Sequence, residues 1–394
     1  MQLTVRPRVY VLPSYSLTGD LLGFLRCGLQ YRYTRIGQLP ATRPVQMWFG
    51  QFIHAVLEEA YRRYDESRKR GVPDLPPWPS ERLEEIRNLV KARLAAQGLF
   101  AYGPDLERLG DERADACIQQ LGPYLFPLIH RAEVRLTGTR PLPSVPAHLR
   151  FREADRYEMA GVVDVVTHVE LADPSLKGNL VLREVVRSLP KQLPPEFEIV
   201  VDYKGMRRPP KAPGKHGVPS LWDQHEWQVL TYADLRRRQS GALPVAAGLL
   251  VYVNEIFPTK EDLKLLKEEI AAGTTDVVPL PGSEAEILLN RWREKDDPPD
   301  LPFEFRLARM LRVVPVTERA IKTAGRRFDE VVRRIEVCRG EELKGKPVRE
   351  AWEKNASDDD TCVVCDWRTT CPEWRKKHGG KKVRLDPQLP GVRS

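Results

Sequence analysis

The sequence predicts an α/β protein in which a central mixed β-sheet is surrounded by many helices. Two observations lead to this prediction. Apolar, β-branched runs of the kind found in buried strands lie in the middle of the chain, at about 160–170, 197–205 and 246–256. Segments in which apolar residues recur at helical spacing come before and after these runs, so helices would cover the sheet that the strands form.

Length and composition are those of a globular protein. The chain has 394 residues, of which 41% are hydrophobic and 30% charged, and it can bury a large core. No run reaches the apolar length of a membrane span, and the segment MQLTVRPRVYVLPSYS lacks the hydrophobic centre of a signal peptide, so we expect a cytoplasmic location. The net charge of +8 suits a nucleic-acid partner and is equally compatible with solvated basic faces.

The N-terminal part of the chain is predicted to be helical. Residues 14–37 contain a short apolar segment with Cys27 near its end. Residues 46–70 carry the clearest helical pattern, with His54 at the border of the apolar stripe. The stripe consists of Phe49, Phe52, Ile53, Val56, Ala60 and Tyr64. Proline-rich breaks at 71–80 and 137–146 enclose two or three further helices, which end at about residue 131.

Strands are predicted at about 148–158, 160–170, 179–187 and 197–205. A basic, proline-rich loop at 206–220, a helix at 222–238 and a buried strand at 246–256 follow. Residues 260–355 are predicted to be mostly helical, with one strand at 303–313. We therefore divide the chain into an N-terminal helical region (1–145), a core with the sheet and one helix (146–256), a C-terminal helical region (257–374) and a basic flexible tail (375–394).

Two acids in the predicted strands are candidate metal ligands. In EFEIVVDYKG, strand alternation points Asp202 and Lys204 to one side, together with Val200, and Tyr203 to the other. Asp164 interrupts the valines of AGVVDVVTHV. If the two strands pair, both carboxylates could share a divalent cation. Lys204 would then lie beside the water that this cation activates. Asp202 and Lys204 could otherwise be an ion pair on an exposed strand, but their β-branched neighbours favour a buried one.

Other polar residues mean little by themselves. Gln228 and Tyr232 stand four residues apart on a predicted helix, so they share a face and could contact a phosphate or position a nucleotide. His54 alone would be a histidine at the border of a core, and Glu133 alone a solvent-facing acid. Their order along the chain makes them informative. The five motifs are GQFIH (Gly50 to His54), the glutamate of AEVRL (Glu133), GVVD (Gly161 to Asp164), DYK (Asp202 to Lys204) and QVLTY (Gln228 to Tyr232).

With these motifs in this order, the chain resembles the RecB-like branch of the PD-(D/E)XK nuclease superfamily. The resemblance implies the central mixed sheet of that fold, and it implies that His54, Asp164, Asp202 and the backbone carbonyl of Tyr203 bind Mg²⁺ or Mn²⁺. Lys204 would orient the attacking water or stabilise the transition state. The third motif reads Asp-x-Lys here, where Glu-x-Lys is frequent in the family.

The same resemblance assigns supporting roles around the metal. It implies that Gln228 and Tyr232 support the site and touch DNA, and that Glu133 lies close to the same centre. The loop at 206–220 begins near Lys204 and could bind the DNA backbone through its basic residues, or it could be merely solvated. These basic residues are Arg207, Arg208, Lys211 and Lys215.

The cysteines indicate a second metal site. CVVCDWRTTC contains three cysteines with the spacing C-x2-C-x5-C, and Cys27 could complete a set of four. Four thiolates suit either structural zinc or an iron–sulfur cluster, and the spacing leaves both open. The C-terminal cysteines are Cys362, Cys365 and Cys371, whereas Cys117 and Cys338 match no motif and are most simply buried small residues.

One cysteine before the nuclease motifs and three after them is similar to the iron–sulfur subgroup of RecB-like nucleases, which includes the AddB nuclease domain and CRISPR-adaptation exonucleases. The resemblance implies a 4Fe–4S cluster that joins the N- and C-terminal helical parts, with zinc as the less favoured alternative. Because 335 residues separate Cys27 from Cys362, such a link would stabilise the fold by closing nearly the whole chain.

We therefore expect a metal-dependent DNA nuclease, with exonuclease action on single strands or DNA ends by analogy with the family. The sequence has no Walker A motif, so a helicase, if required, would be a partner protein. Two alternatives stay open: a catalytically silent DNA-binding or scaffolding subunit with the same fold, and a zinc-stapled nucleic-acid-binding protein without hydrolytic activity.

Overall fold

A mixed β-sheet forms the centre of the protein. The computed structural model describes residues 12–42, 46–215, 217–355 and 359–378. The strands are β1 (Ser14–Ser16), β2 (Ile129–Pro141), β3 (Arg156–Thr167), β4 (Val169–Glu170), β5 (Glu196–Lys204), β6 (Val245–Tyr252) and β7 (Leu311–Pro315). Their order across the seven-stranded sheet is β1-β3-β5-β6-β7, with β2 paired to β3 and β4 to β5. The predicted α/β class and central mixed sheet are confirmed.

Helices surround this sheet along most of the described chain. They are α1 (Leu22–Arg26), α2 (Gly28–Tyr31), α3 (Gln46–Lys69), α4 (Ser80–Ala96), α5 (Pro104–Ala116), α6 (Gly122–Leu125), α7 (Leu180–Arg187), α8 (Leu221–Arg237), α9 (Lys260–Ala272), α10 (Glu284–Arg291), α11 (Phe303–Met310), α12 (Glu318–Leu343), α13 (Val348–Ala351), α14 (Asp359–Val363) and α15 (Pro372–His378). Within the described ranges, no helix is both long enough and apolar enough to cross a membrane.

Strand β5 lies between an antiparallel and a parallel neighbour. It pairs antiparallel with β3, where Val201 is opposite Val165, and parallel with β6, where Asp202 is opposite Leu250. The parallel pair requires a crossover connection, and α8 forms it. The pairing of the two acid-bearing strands, on which the predicted metal site depends, is therefore present.

Alternate side chains of β5 enter two cores on opposite faces of the sheet. Val201 and Tyr203 belong to the core that includes the apolar stripe of α3. Val200 belongs to the core that includes the buried side chains of α8 and α12. Asp202 and Lys204 share the face of Val200, as the strand alternation predicts, and α8 packs over that face.

The segment at 179–187 was expected to be a strand and is instead the helix α7. The side chain of Asn179 caps it by accepting a hydrogen bond of 3.0 Å from the backbone N–H of Leu182. Val181, Leu182 and Val185 are buried along one helical face. The β-branched residues resemble a strand when read alone, but the cap and the one-sided burial favour a helix.

Three other boundaries differ from the predictions. Residues 303–310 form α11, so only residues 311–313 of the strand predicted at 303–313 are extended. A single strand, β3, begins at Arg156, where two strands were predicted at 148–158 and 160–170. The long strand β2 overlaps the end of the helices predicted up to about residue 131 and the start of the break predicted at 137–146. It pairs with β3 alone, and many of its side chains are exposed and polar, so the apolar alternation that marks a buried strand is weak there.

The N-terminal region is not purely helical, because β1 and β2 belong to the sheet. Contacts also join it to the C-terminal region. The guanidinium of Arg32 binds the carboxylate of Glu342 at 2.7 Å, and the hydroxyl of Thr42 donates to Asp366 at 2.6 Å. At the other end, α15 includes the first four residues of the predicted tail, and residues 379–394 lie outside the described part of the chain.

Candidate active site

The two candidate metal ligands on the sheet lie beside each other. One carboxylate oxygen of Asp164, on β3, accepts a hydrogen bond of 2.7 Å from the backbone N–H of Tyr203, on β5. This bond links the two strands just beyond their regular pairing and brings Asp164 against Asp202. Asp202 is 3% exposed and Asp164 9%, so both carboxylates lie in surroundings that disfavour unpaired charge.

Lys204, Asp202 and Gln228 form one hydrogen-bonded unit. The ammonium of Lys204 lies 2.5 Å from Asp202 Oδ2 and donates to Gln228 Oε1 at 2.7 Å. The Gln228 amide nitrogen donates to Asp202 Oδ1 at 2.8 Å and to the Tyr232 hydroxyl at 3.1 Å. The i, i+4 spacing on α8 therefore brings Gln228 and Tyr232 to the same point above β5. The side chain of Lys204 is 14% exposed, so solvent reaches this unit from one side.

His54 approaches the same centre from α3. Its Nδ1 lies 3.3 Å from Asp164 Oδ1, and its ring meets the ring of Tyr203 edge-on. Burial lowers the pKa of His54, but the carboxylates of Asp164 and Asp202 outweigh it and raise the pKa to about 9. In the metal-free protein at neutral pH, His54 is therefore an imidazolium paired with Asp164.

Close backbone packing lets α3 reach the site. Gly50, one turn before His54, lies against Gly205, the residue after Lys204. A Cβ on Gly205 would come 3.1 Å from the Gly50 Cα. The absence of a side chain on Gly205 therefore allows the helix and the end of β5 to approach closely, which brings His54 within reach of Asp164.

Glu133 lies at an irregular position of β2. Its φ of +50° is in the left-handed region, which non-glycine residues rarely occupy, and regular pairs with β3 flank it on both sides. Desolvation raises the pKa of Glu133 to about 7, with further contributions from the charges of Asp164 and Glu58. The residue as a whole stays exposed, so hydration moderates this shift. Glu133 thus lies within electrostatic range of the centre formed by His54 and Asp164.

The donors present suit a hard divalent cation in chemical type. Two carboxylates, an imidazole and a backbone carbonyl are the ligands that Mg²⁺ and Mn²⁺ accept. Asp202 Oδ2 is buried and accepts no well-aligned hydrogen bond, although the ammonium of Lys204 lies against it. Burial raises the pKa of Asp202, and Lys204 opposes that rise. Among the described residues, no three acidic, histidine or cysteine side chains converge closely enough to enclose an ion.

Two residues near the centre were not identified from the sequence. Glu58 lies one helical turn after His54, and its charge acts on Glu133. His225 is 7% exposed, and its Nδ1 lies 3.2 Å from the Tyr252 hydroxyl. Burial lowers its pKa to about 3, and the charge of Lys204 contributes. A signal was available for both, since Glu58 is at i+4 from His54 and His225 is three residues before Gln228 on α8.

Two arginines of the basic loop at 206–220 are held in ion pairs with acids of the protein itself. The guanidinium of Arg208 is buried, binds Asp276 at 2.7 Å and donates to the carbonyls of Arg309 and Leu311 at 3.0 Å each. Arg207 binds Glu269 at 2.9 Å in the same way. Neither is available to a DNA backbone in this arrangement. The other two cations of the loop, Lys211 and Lys215, are exposed.

The four candidate cluster cysteines lie where the N- and C-terminal regions meet. Each is partly buried and lies outside any disulfide among the described residues. Burial raises the pKa of Cys365, and the neighbouring thiols of Cys27 and Cys371 add to the rise, so these three sulfurs share one neighbourhood. They do not converge into a closed metal site in the part of the chain that the structure covers. Cys117 and Cys338 are buried elsewhere, as expected.

Comparison with known proteins shows a similarity to nucleases over part of the chain. Residues 19–172 match the sequence model of the PD-(D/E)XK nuclease superfamily. The superfamily contains metal-dependent nucleases and phosphodiesterases, so the match indicates a nucleic-acid substrate and a divalent metal. His54, Glu133 and Asp164 lie inside the matched range, whereas Asp202, Lys204 and the α8 residues follow it. The match does not reach the three C-terminal cysteines, and no curated protein matches the chain.

Proposed function

We propose that the protein is a metal-dependent DNA nuclease whose active site is centred on Asp164, Asp202 and Lys204. The observation that carries the proposal is the buried unit in which Gln228 joins Lys204 to Asp202 directly beside Asp164. A solvent-exposed ion pair would not require this extent of burial or a shared amide. The match of residues 19–172 to the nuclease superfamily supports the same conclusion.

Four groups would hold the metal: the carboxylates of Asp164 and Asp202, the imidazole of His54 and the carbonyl of Tyr203. A bound Mg²⁺ or Mn²⁺ ion would activate water and screen the charge that builds on the phosphate. The cation must compete with the proton on His54, whose pKa is raised to about 9, so metal binding would release a proton.

The protein's own side chains would position the reacting groups. Lys204 keeps its ammonium at the open side of the site and can donate a hydrogen bond to the attacking water or to a phosphate oxygen. Gln228 holds that ammonium, and the Tyr232 hydroxyl completes the amide's hydrogen bonds. Glu133 lies within electrostatic range of the carboxylate centre, and its raised pKa would let it exchange protons there closer to neutral pH than an ordinary glutamate does.

Exonuclease action on single strands or DNA ends is the mode we propose, by analogy with RecB-like nucleases. We also propose a 4Fe–4S cluster held by Cys27, Cys362, Cys365 and Cys371. The nearness of Cys27 and Cys371 to Cys365 and the contact between Thr42 and Asp366 support it, because both observations place the N-terminal region beside the C-terminal cysteines. A helicase or another DNA-processing protein would be the partner.

The test is cleavage of end-labelled single- and double-stranded DNA by anaerobically purified protein, with Mn²⁺, with Mg²⁺ and with a chelator. We expect metal-dependent products from the wild type and none from Lys204→Ala, because the phosphate and the attacking water lose their fixed ammonium. Lys344→Ala is the matched control, since it removes an equal charge from an exposed position outside the site and its basic loop and should cleave normally. Undiminished cleavage by Lys204→Ala would contradict the site.

The same experiment separates the nuclease from a catalytically silent DNA-binding or scaffolding subunit. Folded wild-type protein that binds DNA but releases no products with either metal would establish the silent subunit. Absorbance near 400 nm, as expected for a 4Fe–4S centre, would distinguish iron from zinc in the same sample.

A further inference from the structure

A second feature of the molecule also fits a nucleic acid. A groove of about 780 Å³ lies between the end of β2, the C-terminal end of α8 and the first turns of α12. We propose that this basic groove binds the phosphate backbone of a single nucleic-acid strand at a distance from the candidate active site. The choice of a nucleic acid as the ligand rests on the proposed function, whereas the groove and its charge do not. The groove is lined by Arg140, Asp234, Arg237, Arg238, Glu318, Arg319, Ile321, Lys322 and Arg326.

The lining carries a strong excess of positive charge. It contains six cations and two carboxylates, and a concave surface lined by one sign of charge concentrates the field that attracts a polyanion. Three of the arginines have an acidic partner within the protein. These ion pairs are Arg140 with Asp329, Arg237 with Glu318, and Arg238 with Asp234. The other three cations supply the excess.

Arg319, Lys322 and Arg326 form an exposed stripe on α12. They stand at i, i+3 and i+7 and so share one helical face, and none has an ion pair with any described residue. Arg319 lies in the first turn of the helix, where the helix dipole disfavours positive charge. No ion pair among the described residues accounts for the three cations, which favours a role in binding an anion.

The basic groove connects to the candidate active site along β2. Arg238 contacts the backbone carbonyl of Thr139 at 3.5 Å, and from there β2 runs about 20 Å to Glu133, at a rise of about 3.3 Å per residue. This continuity favours an extended strand over an acidic protein, which would need no route to the active site. Arginine also matches phosphate by donating two parallel hydrogen bonds.

The test compares two triple variants of the full-length protein. Arg319→Ala/Lys322→Ala/Arg326→Ala removes the exposed stripe, and Lys177→Ala/Lys191→Ala/Lys344→Ala removes the same charge from exposed positions outside the groove. Binding of fluorescent single strands of about 4 and about 16 nucleotides, the range of site sizes of single-strand-binding folds, is measured with chelator present so that no strand is cut. Thermal melting verifies that both variants are folded.

We expect the groove variant to bind the long strand about tenfold more weakly, and its plot of log affinity against log salt to be shallower by about 2, because three phosphate contacts are lost. The loss should be smaller for the short strand, which makes fewer phosphate contacts, and the control variant should show wild-type affinity. Wild-type binding of the long strand by the groove variant would overturn the proposal, as would an equal loss in the control variant. Displacement of the long strand by polyglutamate at equal charge concentration would assign the groove to an acidic protein instead.

Cleavage assays on the same proteins keep this inference distinct from the proposed function. If the wild type cuts no substrate but the groove variant loses affinity for the long strand, the groove stands and the nuclease assignment falls. If the wild type cuts DNA but the groove variant binds the long strand normally, the nuclease stands and the groove falls.

Discussion

A missing side chain at Gly161 leaves room for the ring of Tyr232. A Cβ at this position would lie 2.6 Å from Cε1 of the ring, which is closer than two non-bonded carbon atoms can approach. The ring would have to move, and the hydrogen bond between the Tyr232 hydroxyl and Gln228 would move with it. A single residue on β3 therefore fixes how near α8 lies to the candidate catalytic lysine.

We predict that Gly161→Ala lowers the free energy of unfolding by about 1–3 kcal/mol, the usual cost of overpacking a filled core. It should also reduce kcat/KM for DNA cleavage, because Gln228 is displaced. Urea denaturation and steady-state cleavage would measure the two effects.

Gly50→Ala is the matched control, since a Cβ there meets no atom within 4 Å. Alanine in place of glycine inside a helix should raise stability by about 0.5–1 kcal/mol. If Gly161→Ala proved as stable as Gly50→Ala, the proposed clash with the ring would be absent.

His225 gives a prediction about pH. Its pKa is about 3 in the folded protein and 6.5 ordinarily, so between these values the unfolded state binds one more proton than the folded state. Stability should therefore fall as the pH drops below 6.5, with a contribution from this residue of about 1.4 kcal/mol per pH unit.

Comparison with His225→Asn isolates this contribution, because asparagine does not titrate and can keep a hydrogen bond to Tyr252. Denaturation curves between pH 7 and pH 4 should be flatter for this variant. His168→Asn, at an exposed histidine, should follow the wild type. Parallel curves for the wild type and His225→Asn would show that His225 is protonated in the folded protein.

Part of the site was predictable from residue spacing alone. Strand alternation predicts that Asp202 and Lys204 share a side, and helical spacing predicts the same for Gln228 and Tyr232. The hydrogen bonds by which the Gln228 amide joins Asp202 and Lys204 were not predictable, because they depend on the distance between α8 and β5. The irregular backbone at Glu133 was equally invisible, since it arises from the pairing of β2 with β3.

At the scale of elements, the segment after β5 is held in place by arginines. The buried Arg208 joins this segment to Asp276 and to the carbonyls at the end of α11 and the start of β7. The backbone N–H of Arg208 donates to Glu255 at 2.9 Å, and Glu255 also binds Arg309 at 2.7 Å. The end of the strand that carries Lys204 is thereby anchored to the C-terminal region.

We predict that Arg208→Ala lowers the free energy of unfolding by about 3 kcal/mol, the lower end of the cost of breaking a buried ion pair. The lower end applies because Asp276 stays partly hydrated. Urea denaturation would measure the loss, and hydrogen exchange at residues 205–212 should become faster.

Lys211→Ala is the control within the same loop, and it should stay within about 0.5 kcal/mol of the wild type because the side chain is exposed. Equal stability of Arg208→Ala and Lys211→Ala would show that the Arg208 ion pair does not anchor the loop.

The sequence predicted elements well where burial is complete and poorly where it is partial. β5 and β6 are buried on both faces, and their continuous apolar runs identify them. The polar edge strand β2 and the short helix α7 are half-exposed, so their patterns are ambiguous. Neither alternative for the basic loop included ion pairs within the protein, because the acids that neutralise Arg207 and Arg208 lie more than sixty residues away in the sequence.

At the scale of the whole molecule, the described N- and C-terminal regions are in contact through Arg32 and Thr42. If the proposed cluster joins Cys27 to the C-terminal cysteines, it closes a loop of about 335 residues, for which chain entropy alone gives about 5–6 kcal/mol. This figure is an upper limit, because strain at the folded site and residual structure in the unfolded chain both reduce the gain.

We predict that Cys371→Ser loses iron and lowers the melting temperature, while the cleavage rate of the protein that stays folded changes less. Iron analysis, thermal melting and single-turnover cleavage would measure the three quantities. Cys338→Ala is the control: it removes a buried thiol outside the proposed cluster and should retain iron. Melting of Cys371→Ser at the wild-type temperature would exclude a stabilising cluster.

The amide of Gln228 also gives the site a direction. Its oxygen faces an ammonium, and its nitrogen faces a carboxylate and a phenol. Turning the amide over would set N–H groups against the ammonium and an oxygen against the carboxylate, so only one orientation is compatible with both neighbours. The uncharged amide of Gln228 thereby holds the Asp202 carboxylate and the Lys204 ammonium of β5 in fixed positions relative to each other, whichever substrate enters.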